Sequence, residues 1–243
     1  MARLRRSWPL FFAVAVLIGH RWVGDASAPS THRAERAAMV EKLRRSGISN
    51  RYVLKAMGQV PRDVFVSPAD QSRAYDDVTI PVSAGQALPQ PSAIALALER
   101  LDPDPKDKIL QVGTECAYCT ALLCAITKQV YVVDQRREVM REARRNLEAL
   151  GYTWAKWHEG KGCQGWPEKT TFDAILVMCA ADEVPNALVK QLKPNAHMVI
   201  PIGEGPGQTL TCVTRGADGK VRTETVATAL PRVDSMVCRK PLP

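Results

Sequence analysis

Apolar and polar positions along the chain change their period several times, and each change predicts an element. In "RAAMVEKLRRSG", Ala38, Val40, Leu43 and their neighbours recur at near-helical spacing and stop at Gly47, which predicts a first helix. "SNRYVLKAMGQVP" predicts a second, short helix, with Ser49 or Asn50 as its cap and Pro61 beyond its end. From Val64 to Pro91 repeated proline and glycine forbid long regular elements. A loop of that length inside a domain is usually functional or disordered, and its aromatic and apolar residues favour a functional one.

From Lys108 the period alternates between strand and helix: "KILQVG", "CAYCTALLCAIT", "QVYVVD", then "RREVMREARRNLEALG". In the last of these Val139, Ala143, Leu147 and Leu150 share one face, the arginines opposite form a solvated face, and Gly151 is the stop. "FDAILVMC" reads as a further buried strand, "EVPNALVKQL" as a helix with Pro185 in its first turn, and "HMVIPIG" as another strand. "QTLTCVTRG" and "VRTETVATAL", separated by the Asp-Gly signal of "ADGK", read as a terminal antiparallel hairpin. The order predicts an α/β fold: one doubly wound, mostly parallel sheet with helices on both faces, an N-terminal helical segment and the hairpin at one edge.

Composition bounds this picture. With 243 residues, 46% hydrophobic and 24% charged, the chain has material for one complete core, and two domains would be cramped. The formal charge is +8, but residues 1–28 hold four arginines against one aspartate. The remaining positive excess is scattered, which reads as solubility and not as a nucleic-acid surface. No internal repeat or low-complexity tract is present. The first residues read as an export leader: Arg3, Arg5 and Arg6 as a basic stretch, "PLFFAVAVLIG" as the apolar stretch and "ASA" at 26–28 as a small-residue cleavage pattern. Pro29 disfavours cleavage, so one alternative is an uncleaved anchor; another is an Arg-rich organelle presequence or a mis-assigned start. The expected layout is a leader or anchor at 1–28, a polar linker at 29–37 and a single domain at 38–243, exported to the periplasm or secreted.

Two features suggest chemistry. In an open α/β sheet the ligand crevice lies at the carboxyl ends of the strands, where Gly113 closes the first strand and Asp134 the second, the spacing of an acid that binds ribose hydroxyls. The alternative is that Asp134 caps the helix that follows. Cys116 and Cys119 form C-x-x-C at a strand-to-helix turn, where a helix N-terminus lowers a thiol's pKa. That allows a thiol redox pair or a structural disulfide. Seven cysteines is an odd number, and most read as buried small hydrophobes. Cys124 offers a third ligand to a metal, but no histidine or fourth cysteine lies nearby in sequence, so no metal site is expected. Trp154, Trp157, Trp166 and His197 read as structural.

From about Met39 to Gly203 the chain resembles the protein-L-isoaspartate O-methyltransferase family. Separate segments agree in order: "MVEKLRRSGISNRYVLKAMGQVPRDVFV", "AYDDVTIPVSAGQALPQP", "GKGCQGWPE" and "FDAILVMCAADEVPNALVKQLKP". The resemblance implies a Rossmann-like class I methyltransferase fold, S-adenosylmethionine as cofactor, and methyl transfer to isoaspartyl carboxylates of damaged proteins or peptides. Cofactor contacts are implied for Gln86, Gly113, Thr114, Cys116, Asp134, Lys161 and Gly162, and substrate contacts for Ala87, Leu88, Pro89, Ala180 and Ala181. No nucleic-acid partner is implied, and membrane contact only through an uncleaved N-terminal segment. The nucleophile of such a reaction is already an anion, so the site needs positioning and exclusion of water more than a strong base.

The departures from the family pattern shape the expected activity. Where the family's loop reads acid-x-G-x-G-x-G, this chain has Gln111, Gly113, Glu115 and Ala117, so one of the three glycines survives. Lys161 stands in "GKG" where the family aspartate accepts from the adenine amino group, and an ammonium has no acceptor. Pro89 takes the place of a serine near the reacting groups, leaving no intact catalytic side chain. The expectation is a family member with impaired catalysis. The alternatives are a non-catalytic binding or scaffold protein that keeps the fold, and a thiol redox role through Cys116 and Cys119.

Overall fold

Five parallel strands and an antiparallel hairpin form one sheet in the computed structural model, which describes residues 32–83, 86–114, 117–203 and 208–227. The segment expected to be a leader or anchor, Glu115, Cys116 and the last residues of the chain lie outside the described residues, and so do the expectations that concern them. The elements are α1 (Arg33–Arg45), α2 (Arg51–Gln59), β1 (Ile80–Ser83), β2 (Gln86–Leu88), α3 (Pro91–Leu101), β3 (Lys108–Val112), α4 (Tyr118–Ile126) and β4 (Gln129–Asp134). They continue with α5 (Arg137–Ala149), β5 (Lys156–Glu159), β6 (Phe172–Val177), α6 (Asn186–Gln191), β7 (Leu192–Ile202), β8 (Thr209–Arg215) and β9 (Val221–Ala227). The large sheet runs β5-β4-β3-β6-β7-β8-β9, parallel through β7 and antiparallel beyond it. The doubly wound sheet with its edge hairpin is therefore as expected.

The strand order reverses direction between β3 and β6, which opens a crevice above their carboxyl ends. β3 is buried along Ile109, Leu110, Gln111 and Val112, as a strand covered on both faces must be. Its flanks are packed separately: Ile109 with Leu98, Leu122 and Val132 on one face, Leu110 with Phe172, Ile175 and Met198 on the other.

Local chemistry explains the helix boundaries. Asn50 caps α2, its Oδ1 accepting from the backbone N–H of Tyr52 at 2.9 Å and Val53 at 3.1 Å. α1 starts earlier than its apolar spacing predicts, and its buried residues are Met39 and Leu43, with Ala38 exposed. On α5 the buried stripe is Met140, Ala143 and Leu147; Val139 is only half-buried. α3 is not among the elements expected from the sequence. Its signals were present: Pro91 at the first helical position, and Ile94, Leu98 and Leu101 recurring on one face. The segment from Val64 to Pro91 is not structureless. Two short 3-10 turns, Arg62–Phe65 and Pro68–Arg73, and the β1-β2 hairpin organise it.

The residues read as structural behave so. The Trp154 indole N–H donates to Thr127 O at 3.1 Å, and Trp166 meets the Tyr131 ring edge-on at 4.9 Å. His197 Nδ1 shares a hydrogen bond with Thr214 Oγ1 across β7 and β8. No described helix is long and apolar enough to cross a membrane.

Candidate active site

The turn after β3 is held by its own side chain. Gln111 is fully buried and donates from Nε2 to Gly113 O at 2.8 Å, which fixes the carbonyl of the turn. An ionised acid at this position has no donor to offer that carbonyl. Gly113 has φ +84°, and a Cβ there would sit 3.4 Å from Cys179 Sγ and 3.6 Å from Met178 Cβ, so both conformation and space require glycine.

Ala117 then caps α4 in the left-handed region, with φ 68° and ψ −12°. The family has glycine here, so the chain keeps the glycine-type backbone and accepts an alanine in it, at a cost of about 1 kcal/mol. Packing enforces the choice, because Ala117 is 1% exposed and its N–H donates to Thr114 O at 3.0 Å.

Thr114 links this turn to the end of β4. Its backbone N–H donates to Asp134 Oδ2 at 2.9 Å, while Arg136 donates its own N–H to Oδ1 at 2.8 Å. The Arg136 guanidinium adds Nε to Oδ1 at 3.1 Å and Nη2 to Oδ2 at 3.0 Å. Asp134 is wholly buried. Burial by itself raises its pKa, but the hydrogen bonds from the Arg136 side chain, Arg136 N–H and Thr114 N–H outweigh it and hold the carboxyl below the usual aspartate range. The local reading of Asp134, accepting from the backbone just before α5, is thus realised without removing its place at the crevice.

Because the folded value is depressed, the stabilisation linked to Asp134 is complete above the unfolded aspartate value, about 3.9, and is lost as pH falls through the lower folded value. Urea unfolding of the unmodified protein is therefore expected to lose midpoint more steeply below about pH 4 than that of Asp134→Asn. Parallel acid limbs for the two proteins would contradict this linkage.

Backbone contacts bring the other segments to the same end of the sheet. Gly160 N–H donates to Asp134 O at 3.1 Å, which docks the turn after β5 against the end of β4. In that turn Gly162 is buried, whereas Lys161 is exposed. Met178 N–H donates to Val112 O at 2.8 Å, and Ala181 N–H to Pro201 O at 3.0 Å, which seats the buried Ala180 and Ala181 between the ends of β6 and β7. Gln86 and Ala87 are half-buried on β2. Leu88 turns into the main core with no exposed surface, so the structure gives its side chain a packing role and not a substrate contact.

Pro89 is tied to the site by a residue the sequence reading missed. Arg62 is completely buried, with Nε donating to Ala74 O at 2.7 Å and Nη2 to Pro89 O at 2.6 Å. Its guanidinium carbon lies 5.2 Å from the centroid of the Tyr118 ring, beside Ala117 at the start of α4. A buried arginine reads in sequence like any surface one, and only the proline that precedes it hinted at a fixed turn.

The thiols divide. Cys119 is buried, and its C-x-x-C partner Cys116 lies outside the described residues. Burial pushes the Cys124 thiol up to about 12, which is the environment of a packing residue. Two buried oxygens next to the turn, Thr114 Oγ1 and Gln111 Oε1, have no hydrogen-bond partner among the described residues. Uncompensated buried polar atoms are costly, and their place beside a left-handed glycine and a ribose-type acid suits a polar ligand such as a nucleoside cofactor.

A doubly wound sheet with a tight turn after its first central strand and an acid ending the next defines a Rossmann-like nucleoside-binding protein of the class I methyltransferase type. Residues 34–231 match the family model described as Protein-L-isoaspartate(D-aspartate) O-methyltransferase (PCMT), and the chain belongs to that family. A protein-L-isoaspartate O-methyltransferase from Methylorubrum extorquens is 43% identical over 191 residues, covering 78% of this chain and 83% of that one. One from Aeropyrum pernix is 40% identical over 207 residues, covering 83% and 79%. Among solved structures, a Plasmodium falciparum beta-aspartate methyltransferase in complex with S-adenosyl-L-homocysteine superposes with a TM-score of 0.71 at 23% identity. It spans 84% of this chain and 99% of its own, a likeness of fold.

Proposed function

We propose that this chain is a protein-L-isoaspartate O-methyltransferase that binds S-adenosylmethionine weakly and methylates isoaspartyl carboxylates slowly. One observation carries the reading: the loop backbone keeps its glycine-type conformation at both Gly113 and Ala117, although residue 117 is no longer glycine. The site has kept its shape and lost part of its fit.

S-Adenosylmethionine supplies the methyl group. The turn at Gly113 gives backbone access, Thr114 Oγ1 offers a polar contact, and Asp134 is the acid placed where ribose hydroxyls would bind. Lys161 presents a donor where the adenine amino group also donates, so adenine recognition through that side chain is absent. Pro89 removes a hydroxyl from the substrate side and holds its own carbonyl on Arg62. The isoaspartyl carboxylate needs no base to ionise, so positioning without proton transfer sustains residual turnover.

Calorimetric titration with S-adenosylmethionine, followed by methylation of an isoaspartyl peptide, tests this directly. Weak binding with slow, peptide-dependent methylation is expected. A protein that binds nothing and transfers nothing is a scaffold that keeps only the fold.

The same proposal has the working protein outside the cytoplasm, a reading supported by Arg3, Arg5, Arg6 and the apolar stretch after them. Mass spectrometry of the native N-terminus checks it. A full-length cytoplasmic product would remove the export claim.

A further inference from the structure

The acid best placed for ribose is already fully engaged. Asp134 accepts four hydrogen bonds, from Thr114 N–H and Arg136 Nη2 on Oδ2 and from Arg136 N–H and Nε on Oδ1. A carboxylate offers about four lone-pair sites, so no acceptor position remains for a hydroxyl. The Asp134 side chain has no exposed surface, and that of Arg136 is 30% exposed. The guanidinium therefore lies between the carboxylate and solvent.

The four bonds are not equivalent. The two from backbone N–H groups are fixed by the turn after β3 and by the start of α5. The two from the guanidinium sit on a side chain that can rotate away. Arg137 does not serve as a substitute, because its Nε is paired with Glu159 Oε2 at 2.7 Å.

Resting on the reading of this crevice as a nucleoside site, we infer that Arg136 competes with the ligand's ribose for Asp134 and so sets nucleoside affinity. When the guanidinium swings out, two acceptor sites on a buried carboxylate become available to the two ribose hydroxyls. Arg136 is a specificity-determining residue by exclusion: any ligand without a vicinal pair of hydroxyl donors offers nothing in exchange for the fork it displaces.

A purely structural role for Arg136 predicts the opposite effects. Its removal would leave the carboxylate less stabilised, loosen the turn and weaken binding. Competition instead makes binding tighter when the guanidinium is removed. It also makes binding to the unmodified protein tighter as salt rises, since the partly exposed ion pair is screened. Adenosine isolates this effect because it is uncharged and has no salt dependence of its own.

Calorimetric titration with adenosine at low and high salt, for the unmodified protein, Arg136→Leu and Arg136→Lys, is the test. Arg136→Leu is expected to bind about fivefold more tightly than the unmodified protein, with Arg136→Lys between them. The unmodified protein should gain affinity with salt while Arg136→Leu stays flat. Equal or weaker binding by a folded Arg136→Leu overturns the inference and leaves the cofactor reading standing. Absence of adenosine binding by every protein removes both. If Arg136→Leu does not fold, the salt response of the unmodified protein decides alone, and a flat or falling affinity overturns the inference.

Discussion

The triple variant Glu115→Gly, Ala117→Gly, Lys161→Asp is expected to bind S-adenosylmethionine at least about tenfold more tightly than the unmodified protein, which corresponds to about 1.4 kcal/mol. Relief at residue 117 is part of this, because an alanine held at φ 68° resists the small backbone adjustments a glycine makes freely. Replacing the exposed Lys161 by an acceptor restores a partner for the adenine amino group, within the range of a hydrogen bond to a charged group. Methyl transfer to an isoaspartyl peptide should rise further when Pro89→Ser is added. The cofactor turn and the β1-β2 hairpin are separate segments, joined at the site through Arg62, and repairing one does not rebuild the other. Tight binding and brisk methylation by the unmodified protein would show that Glu115 and Lys161 point away from the pocket and that the loop is intact in function.

Arg62→Leu is expected to destabilise the protein by about 3 kcal/mol, the range of a lost buried hydrogen-bonding charge. Two carbonyls lose their donor, Ala74 O in the buried interior and Pro89 O in a half-buried place. For a chain of this size that shift lowers Tm by roughly 10 °C in scanning calorimetry. Proteolysis near Pro89 should quicken at the same time, since the carbonyl that pins the hairpin to the start of α4 is released. A change below about 1 kcal/mol would mean that solvent replaces the guanidinium and that the site is less dry than its burial indicates.

The comparison with the unmodified protein has a reference built in. Asp134→Asn tests the acid on the cofactor side, and Arg62→Leu tests the clamp on the substrate side. The two sites share no described hydrogen-bond partner. Their stability effects should add within about 0.5 kcal/mol.

The apolar period of "KILQVG" and "QVYVVD" determined the central strands, and Gly151 and Asn50 the ends of their helices, because strand burial and caps are written in neighbouring residues. The family's ordered segments likewise marked the turn at Gly113 and the positions of Lys161 and Pro89. What the sequence did not disclose was the conformation of Ala117, since a left-handed alanine is chosen by packing at the start of α4 and not by its own preference. Nor did it distinguish Arg62 from a surface arginine or Arg136 from the solvated face of α5. The first depends on Ala74 and Pro89 meeting across a folded loop, the second on Thr114 delivering Asp134 to the same point. A charged side chain's role is set by which acceptors surround it. For Arg62 they lie in a turn and a loop distant in the chain, and for Arg136 the near neighbour Asp134 is turned toward it by the distant Thr114, so only the tertiary structure decided both.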